Sequence, residues 1–452
     1  MLNVVLFCLL VGRRSYSAFV IKDDLLYRKN FYPLRILKAG SPREVYELGA
    51  DGSRWLLGKR TIQERRKAFF KGKRKRLQRL GRRIFLPDQV VDAYYRYSKW
   101  RCLQRLLSAT VNVFGLQAMI MAVGVRDAAS GRGIGTAAAI DWVLKDALGK
   151  LTRLAWAGKM GRSFDGDAKR WRFRSSLLYA TGNGLQIATY AFPSFFLLLA
   201  TIANCLKQIS MLTSTATRSA IYRSFAKTDA TNNIGDITAK GEAQIAVVDL
   251  LGMALGIALT KMLGFDQYNI LLAYLFLSLA EIVTMYFEIR SVIFKQLNLD
   301  RALITVDAFV QNKSLPTPEE YAASYERILL PPKILVNTIF MPLSQLNTTQ
   351  IPNLSDLADH FAQEPFLLVP INFSGRSQDT TDCTIILRPD AEDSDILRAL
   401  LARAIYLRDL THPGLARHQA DARLTSFHDS LRQAGWSTYS FIFPEVQVRA
   451  DW

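Results

Sequence analysis

The sequence predicts a mainly α-helical protein: a multi-span membrane bundle of about six helices, then a small C-terminal α+β domain. Three observations carry this. Six apolar segments of near-membrane length lie between Leu103 and Glu288. Basic residues gather in every second connection between them. Beyond Pro331-Pro332 the pattern changes to short Val-, Ile- and Leu-rich runs alternating with amphipathic stretches. On these breaks the chain divides into a targeting segment at 1–18, a basic linker or transit region at 19–85, a helical membrane domain at 86–330 and a C-terminal domain at 331–452.

At 452 residues the chain has room for two or three domains. Its formal charge of +19 favours an acidic partner such as an anionic membrane surface. Cys8, Cys102, Cys205 and Cys383 stand far apart without paired spacing, which excludes a disulfide framework and a zinc site. His360, His412, His418 and His428 fall in the polar C-terminal part and read as surface residues. No metal and no cofactor is expected.

Leu2 to Gly12 is apolar but too short to span a bilayer. Arg13-Arg14 and Ser15-Tyr16-Ser17-Ala18-Phe19 follow it, as in a cleavable signal. The Ser-Ala-Phe step resembles the bipartite presequences of secondary plastids, which points to a plastid membrane, with a secretory or mitochondrial membrane as the alternatives. Lys59 to Arg83 is dense in Lys and Arg, with Phe69, Phe70, Leu77 and Leu80 at roughly helical spacing. It reads as a transit peptide or solvated linker, as an amphipathic segment on anionic lipid, or as a nucleic-acid contact. No aromatic platform accompanies the run, so nucleic acid fits least.

The six segments are Leu103–Val125, Ile134–Ala157, Ser175–Phe192, Pro193–Thr215, Ala243–Gly264 and Tyr268–Glu288. Each approaches the roughly 20 residues that cross a bilayer. The second and third are marginal. A mean hydropathy of +0.07 leaves buried helices of a water-soluble domain as the alternative. Charge placement decides for the membrane. The 2–3 and 4–5 connections and both flanks hold most of the Lys and Arg, among them Lys159, Lys169, Arg172, Arg218, Arg223 and Lys240. The opposite connections hold Arg126, Arg132 and Lys261. That alternation follows the positive-inside rule for six spans.

Asp141, Lys145 and Asp146 lie within the second segment, Lys207 in the fourth, Asp249 in the fifth and Glu281 in the sixth. Asp141 and Lys145 form an i, i+4 pair with the acid first. A charge at a helix centre costs roughly 2.5–3.5 kcal/mol on insertion scales, so such residues pair or line a polar path. Both readings stand. Gly252, Gly256, Thr260 and Gly264 recur at every fourth position on one face of the fifth segment. Small residues at that spacing let a second helix backbone approach closely.

The polar hairpin before that segment carries a resemblance. Gly235-Asp236-Ile237-Thr238-Ala239-Lys240-Gly241-Glu242-Ala243-Gln244 follows Ala216-Thr217-Arg218 and Ser224-Phe225-Ala226-Lys227. Leu86-Pro87, Asp141-Trp142-Val143-Leu144-Lys145-Asp146, Lys169-Arg170-Trp171-Arg172-Phe173 and Leu315-Pro316-Thr317-Pro318-Glu319-Glu320 agree in order along the chain. Together they resemble the Root UVB Sensitive (RUS) family over roughly 86–330. The chain departs from the family pattern at Arg126 and Ala147, where Gly is usual. The resemblance implies a part in UV-B tolerance and vitamin B6 homeostasis, often in plastids, with no established catalytic activity. It also draws attention to Asp141, Lys145, Asp146, Arg172, Lys207, Arg218, Asp236, Lys240, Glu242, Gln244 and Asp249 as family signature or polar path.

Gly158-Lys159-Met160-Gly161-Arg162, with Asp165, Lys169 and Arg170, resembles the loop between the second and third helices of major-facilitator transporters. Six spans would then be half a transporter. Membrane lipid and a homodimer or a related RUS-family protein are the partners this implies. No catalytic residue is expected. Gly131-Arg132-Gly133-Ile134-Gly135 follows a helix and no strand, which argues against a dinucleotide loop.

In the C-terminal part Phe366–Phe373, Cys383–Leu387 and Tyr439–Val448 read as strands, and Ser394–Leu410 and Ala420–Ala434 as amphipathic helices. Asp390, Glu392, Asp393 and Asp395 favour the first helix's N-terminal dipole. A membrane-bound scaffold that recruits soluble partners through the basic loops and this domain is the second functional expectation, beside a transporter-like protein for a small solute.

Overall fold

The structure, a computed structural model, describes residues 32–38, 41–48, 54–57, 81–130, 136–160, 163–227, 233–264, 266–328, 339–340, 357, 360–372, 381–409 and 412–442. The targeting segment at 1–18, most of the basic run from Lys59 to Arg83, the 131–135 connection and the Pro331-Pro332 break lie outside these residues.

The region expected as linker or transit peptide holds a three-stranded antiparallel sheet: β1 (Tyr32–Lys38), β2 (Ser41–Leu48) and β3 (Arg54–Leu57), in the order β1-β2-β3. Tyr32, Leu34 and Ile36 in alternation and the Asp51-Gly52 pair signal strands and a turn in the sequence, against the surrounding charge.

Each of the six apolar segments falls within a helix. These are α1 (Ala93–Ser130), α2 (Thr136–Met160), α3 (Ala168–Ala191), α4 (Phe196–Phe225), α5 (Ile234–Leu263) and α6 (Gln267–Arg290). Their ends are chemically marked. Pro193 stops α3 and opens a 3₁₀ turn into α4. Gly264, at φ +71°, closes α5. Asp266 then caps α6 by accepting from the Asn269 N–H at 3.2 Å.

Among the described residues four stretches are long and apolar enough to cross a membrane: Ala93–Val125, Pro193–Phe225, Ile234–Leu263 and Gln267–Arg290. By length and composition four of the six expected spans are supported, and α2 and α3 are not among them. For α3 the cause is its polar content. It buries Lys169, Arg172, Ser175, Ser176, Asn183, Gln186 and Thr189. It packs against α1, α4 and α6 at the centre of the bundle.

The outside of the bundle is apolar. Exposed side chains include Leu116 and Ile120 on α1, Val143, Leu151 and Leu154 on α2, Leu198 on α4, Ile257 on α5 and Leu272, Phe276 and Leu279 on α6. A water-soluble bundle turns such residues inward.

Past α6 come β4 (Gln296–Asn298) and α7 (Leu299–Val310), then β5 (Phe366–Asn372), β6 (Thr381–Leu387), α8 (Asp393–Asp409), α9 (Pro413–Gln433) and β7 (Ser437–Ile442). Strands β5 and β6 pair antiparallel, whereas β7 pairs in parallel with β4. One apolar core joins Leu297, Leu299, Val306 and Tyr321 to Leu368, Ile385, Leu400, Ile405, Phe427 and Trp436. That core thus begins at Leu297, well ahead of the 331 boundary, and the last strand borrows its partner from the end of the bundle. Helix α9 starts at Pro413, ahead of the expected Ala420, because His412 caps it, with Nδ1 accepting from the Gly414 N–H at 3.2 Å.

Candidate functional site

Arg101, Gln104, Arg105 and Ser108 recur at helical spacing along one face of α1. Arg172, Ser176, Tyr179, Asn183 and Gln186 do so along α3. Amphipathic helices bury one stripe, and here the buried stripes are polar. Arg101, Gln104, Arg105 and Ser108 of α1 and Arg172, Ser176 and Tyr179 of α3 meet Ser210, Ser214 and Arg218 of α4, Glu242 and Asp249 of α5 and Glu281 of α6 around a chamber of about 240 Å³.

Ion pairs and hydrogen bonds order the walls. Arg105 grips Asp249 with two bonds, Nε to Oδ1 at 3.1 Å and Nη2 to Oδ2 at 2.5 Å. Arg218 Nη1 donates to Glu242 Oε1 at 2.5 Å, and Arg101 Nη2 lies 3.8 Å from the same oxygen. Gln104 Nε2 donates to Glu281 Oε1 at 2.9 Å. Arg172 Nη2 stands 3.6 Å from Oε1 of the buried Glu288. The Arg101 guanidinium also lies over the rings of Tyr97 and Tyr222, 5.6 and 5.2 Å from their centroids. Those rings belong to an aromatic layer with Tyr94 and Phe225 that closes the end of the bundle nearest the C-terminal region.

Glycines set how closely the walls approach. A Cβ on Gly252 would lie 2.6 Å from the Leu106 carbonyl oxygen, and one on Gly256 would lie 2.8 Å from Val113 Cβ. Helices α1 and α5 therefore run backbone to backbone, and Thr110 Oγ1 bonds the Gly252 carbonyl at 3.1 Å. Gly264 takes no part in this contact. A Cβ there meets nothing within 4 Å, and its role is the left-handed cap. Thr260 sits half-buried on α5, a turn beyond Gly256.

At the same end, α3 is tied to the C-terminal region. Lys169 pairs with Glu326, which Arg301 Nη2 also reaches at 3.3 Å. Arg170 bridges Asp167 at 3.0 Å and Asp300 at 2.8 Å. Burial pushes the Asp167 carboxyl above the usual carboxylate range, and the Arg170 charge opposes that rise.

A family model described as "Vitamin B6 photo-protection and homoeostasis domain" matches residues 71–313. The chain belongs to the Root UVB Sensitive family. It is 32% identical over 334 residues to protein root UVB sensitive 4 of Arabidopsis thaliana, covering 72% of this chain and 63% of the relative. Against root UVB sensitive 6 of the same plant the identity is 35% over 234 residues, 52% of this chain and 45% of the relative. Against "root UVB sensitive 2, chloroplastic" it is 28% over 327 residues, 72% and 71%. The matched part of the chain thus covers less than two thirds of the first two of these relatives. No solved structure matches the chain.

Every residue around the chamber lies inside the span that matches the RUS family. Of the residues expected from the sequence, Arg172, Arg218, Glu242 and Asp249 converge there. Gln244 lies beyond, accepting from Ser98 Oγ at 2.6 Å and donating to Tyr94 Oη at 3.2 Å and to the Phe85 carbonyl. Asp236 and Lys240 pair at 3.0 Å near the outer end of α5, where Asp236 also accepts from the Asp88 N–H at 3.3 Å. Lys207 donates to Asn112 Oδ1 at 3.0 Å and to Gln186, with its ammonium 5.2 Å from the Tyr179 ring centroid. Lys145 pairs with Asp146 at 2.6 Å on α2, where Asn204 bonds the Lys145 carbonyl, and Asp141 lies half-buried one turn earlier. Arg101, Gln104 and Arg105 are chamber residues that hydropathy and motif do not single out. A first segment that begins at Leu103 leaves Arg101 and Arg105 to the basic flank. The i, i+3, i+4, i+7 recurrence from Arg101 to Ser108 was the signal.

Proposed function

We propose that this RUS-family chain is an integral membrane protein that admits a small polar solute to the chamber between α1, α3, α4, α5 and α6. It does so without catalysis, as a transporter-like unit serving vitamin B6 balance and UV-B tolerance. The observation that carries the reading is the inverted polarity of the bundle, with buried Gln104, Ser108, Asn183 and Glu281 inside and Leu272, Phe276 and Leu279 outside. In hydrocarbon a polar interior is kept where it encloses a path or cavity. All six helices cross in this proposal. The outward Val143, Leu151 and Leu154 of α2 suit lipid, and α3 is shielded by its neighbours. The basic connections and the C-terminal region share one side. A six-helix half-transporter works as a dimer, with itself or a related RUS protein, and the plastid is the proposed membrane.

A flux assay tests the function: vesicles holding the purified chain should take up pyridoxal vitamers faster than empty vesicles, and equal rates would refute solute passage. Single cysteines in place of Asp165, Ala230 and Asp266 test the architecture. With six spans, 165 and 230 label from one face and 266 from the other. With four, 165 labels together with 266. A scaffold is the second reading, favoured by the C-terminal region docked on the bundle through Lys169, Arg170 and Arg301. A stable partner that co-purifies without flux would support it.

A further inference from the structure

We infer that the chamber is a binding site for a small anion bearing a phosphate or carboxylate group, held by the guanidinium groups of Arg101, Arg172 and Arg218. This rests on the solute chamber proposed above and adds the chemistry it selects.

The inference comes from donors without acceptors. Arg101 and Arg172 are 4% and 5% exposed. A guanidinium carries five N–H donors. Arg101 uses one of them for a side-chain hydrogen bond, to Tyr97 Oη at 2.5 Å. Arg172 makes no side-chain hydrogen bond among the described residues, its nearest carboxylate oxygen standing 3.6 Å off on Glu288. The Nε groups of Arg101, Arg172 and Arg218 are all buried without an acceptor. Of the acids lining the chamber, Asp249 is held by both arms of Arg105, Glu242 by Arg218 and one oxygen of Glu281 by Gln104, while the second Glu281 oxygen and both oxygens of Glu288, outside the lining, meet no donor. The lining still sets four arginines, Arg101, Arg105, Arg172 and Arg218, against three acids, Glu242, Asp249 and Glu281, and leaves the three Nε–H groups open.

Buried charged donors left unmet cost more than neutral ones, and water meets the hydrogen bonds but not the charge. A phosphate or carboxylate meets both, in the bidentate geometry that guanidinium favours. About 240 Å³ is just under the range of about 300–1,000 Å³ for small-molecule pockets, which limits the occupant to roughly one ring with its acidic group. Entry is lateral. Arg218 and Glu242 border the chamber from α4 and α5 with side chains 27% and 45% exposed. That side admits either a soluble anion or the phosphate of a lipid headgroup.

The test uses the full chain in nanodiscs of zwitterionic lipid, with pyridoxine 5′-phosphate and pyridoxine as a pair that differs in the phosphate alone, and inorganic phosphate as a third probe. Calorimetry should find the phosphate ester bound at least about tenfold more tightly than pyridoxine. Arg101→Gln and Arg172→Gln should each weaken it by about ten- to a hundredfold and leave pyridoxine unmoved, the loss expected for a charge-assisted hydrogen bond. If soluble anions stay silent but phosphatidic acid doped into the disc is retained and released by Arg101→Gln, the phosphate belongs to a lipid and the site stands. Equal affinity for ester and alcohol, both lost when Ser214→Trp fills the chamber, would overturn the anion site and spare the solute chamber. No binding by any probe, lipid included, would overturn both. Should the arginine variants fail to fold, the matched probes on the unaltered chain and on Ser214→Trp still decide.

Discussion

The helical bundle and the C-terminal region bury opposite chemistries. In the bundle the interior holds Arg101, Gln104, Arg172, Asn183, Lys207 and Glu281, while leucines and phenylalanines face outward. In the C-terminal region Leu368, Ile385, Leu400, Ile405 and Phe427 are buried, and among the described residues past 330 Leu415 is the one large apolar side chain that is exposed. The contrast is the one expected of a chain whose two regions face two solvents. Where water is outside, apolar burial drives packing. Where hydrocarbon is outside, apolar side chains gain nothing by turning inward, so close backbone packing and polar contacts hold the helices. The ion pairs of Lys169, Arg170 and Arg301 sit between the two regions.

The sharpest way to break this comparison is at Gly252. Gly252→Leu forces a side chain onto the Leu106 carbonyl, and no side-chain rotation relieves a clash with backbone. Loss of the monodisperse peak in mild detergent is expected. A normal elution profile would mean that α1 and α5 do not depend on that approach. Next is Phe427→Ala in the C-terminal core, expected to cost about 3–5 kcal/mol in denaturant unfolding. The equally large Phe276, 71% exposed on α6, should tolerate Ala within about 0.5 kcal/mol in detergent. Equal costs for the two would erase the contrast. Phe276→Asp should instead lower insertion into a bilayer, by roughly 3 kcal/mol at most.

The smallest effect concerns pH. Burial, with Arg432 nearby, holds the His428 imidazole below its ordinary range, against the pull of Asp429. The folded state therefore resists protonation more than the unfolded chain does. The stability this group contributes is present above its unfolded pKa and fades as pH falls through that value and below. A slight drop in melting temperature of the C-terminal region between pH 7.5 and 5.5, absent in His428→Gln, would show it.

Particular residues mark what was legible. The apolar runs Phe195–Cys205 and Ile270–Ala280 placed α4 and α6, and Gly252 with Gly256 pointed to the close face of α5, because local pattern suffices for both. The strands at 32–57 went unread behind the surrounding charge. Gly264, in register with Gly252, turned out to be a cap, since spacing cannot tell where a helix ends. Arg101 and Arg105 read as flank in the sequence, since hydropathy averages a polar stripe away.

The sequence by itself determined the family, the helical bundle and which residues carry charge within it, since these follow from residue order and local periodicity. Tertiary structure alone decided that Arg101, Arg172 and Arg218 share one chamber, that β7 pairs with β4, and that α3 is the polar centre. These depend on which helix faces turn toward one another, and that is settled by the packing of distant segments and the medium around them.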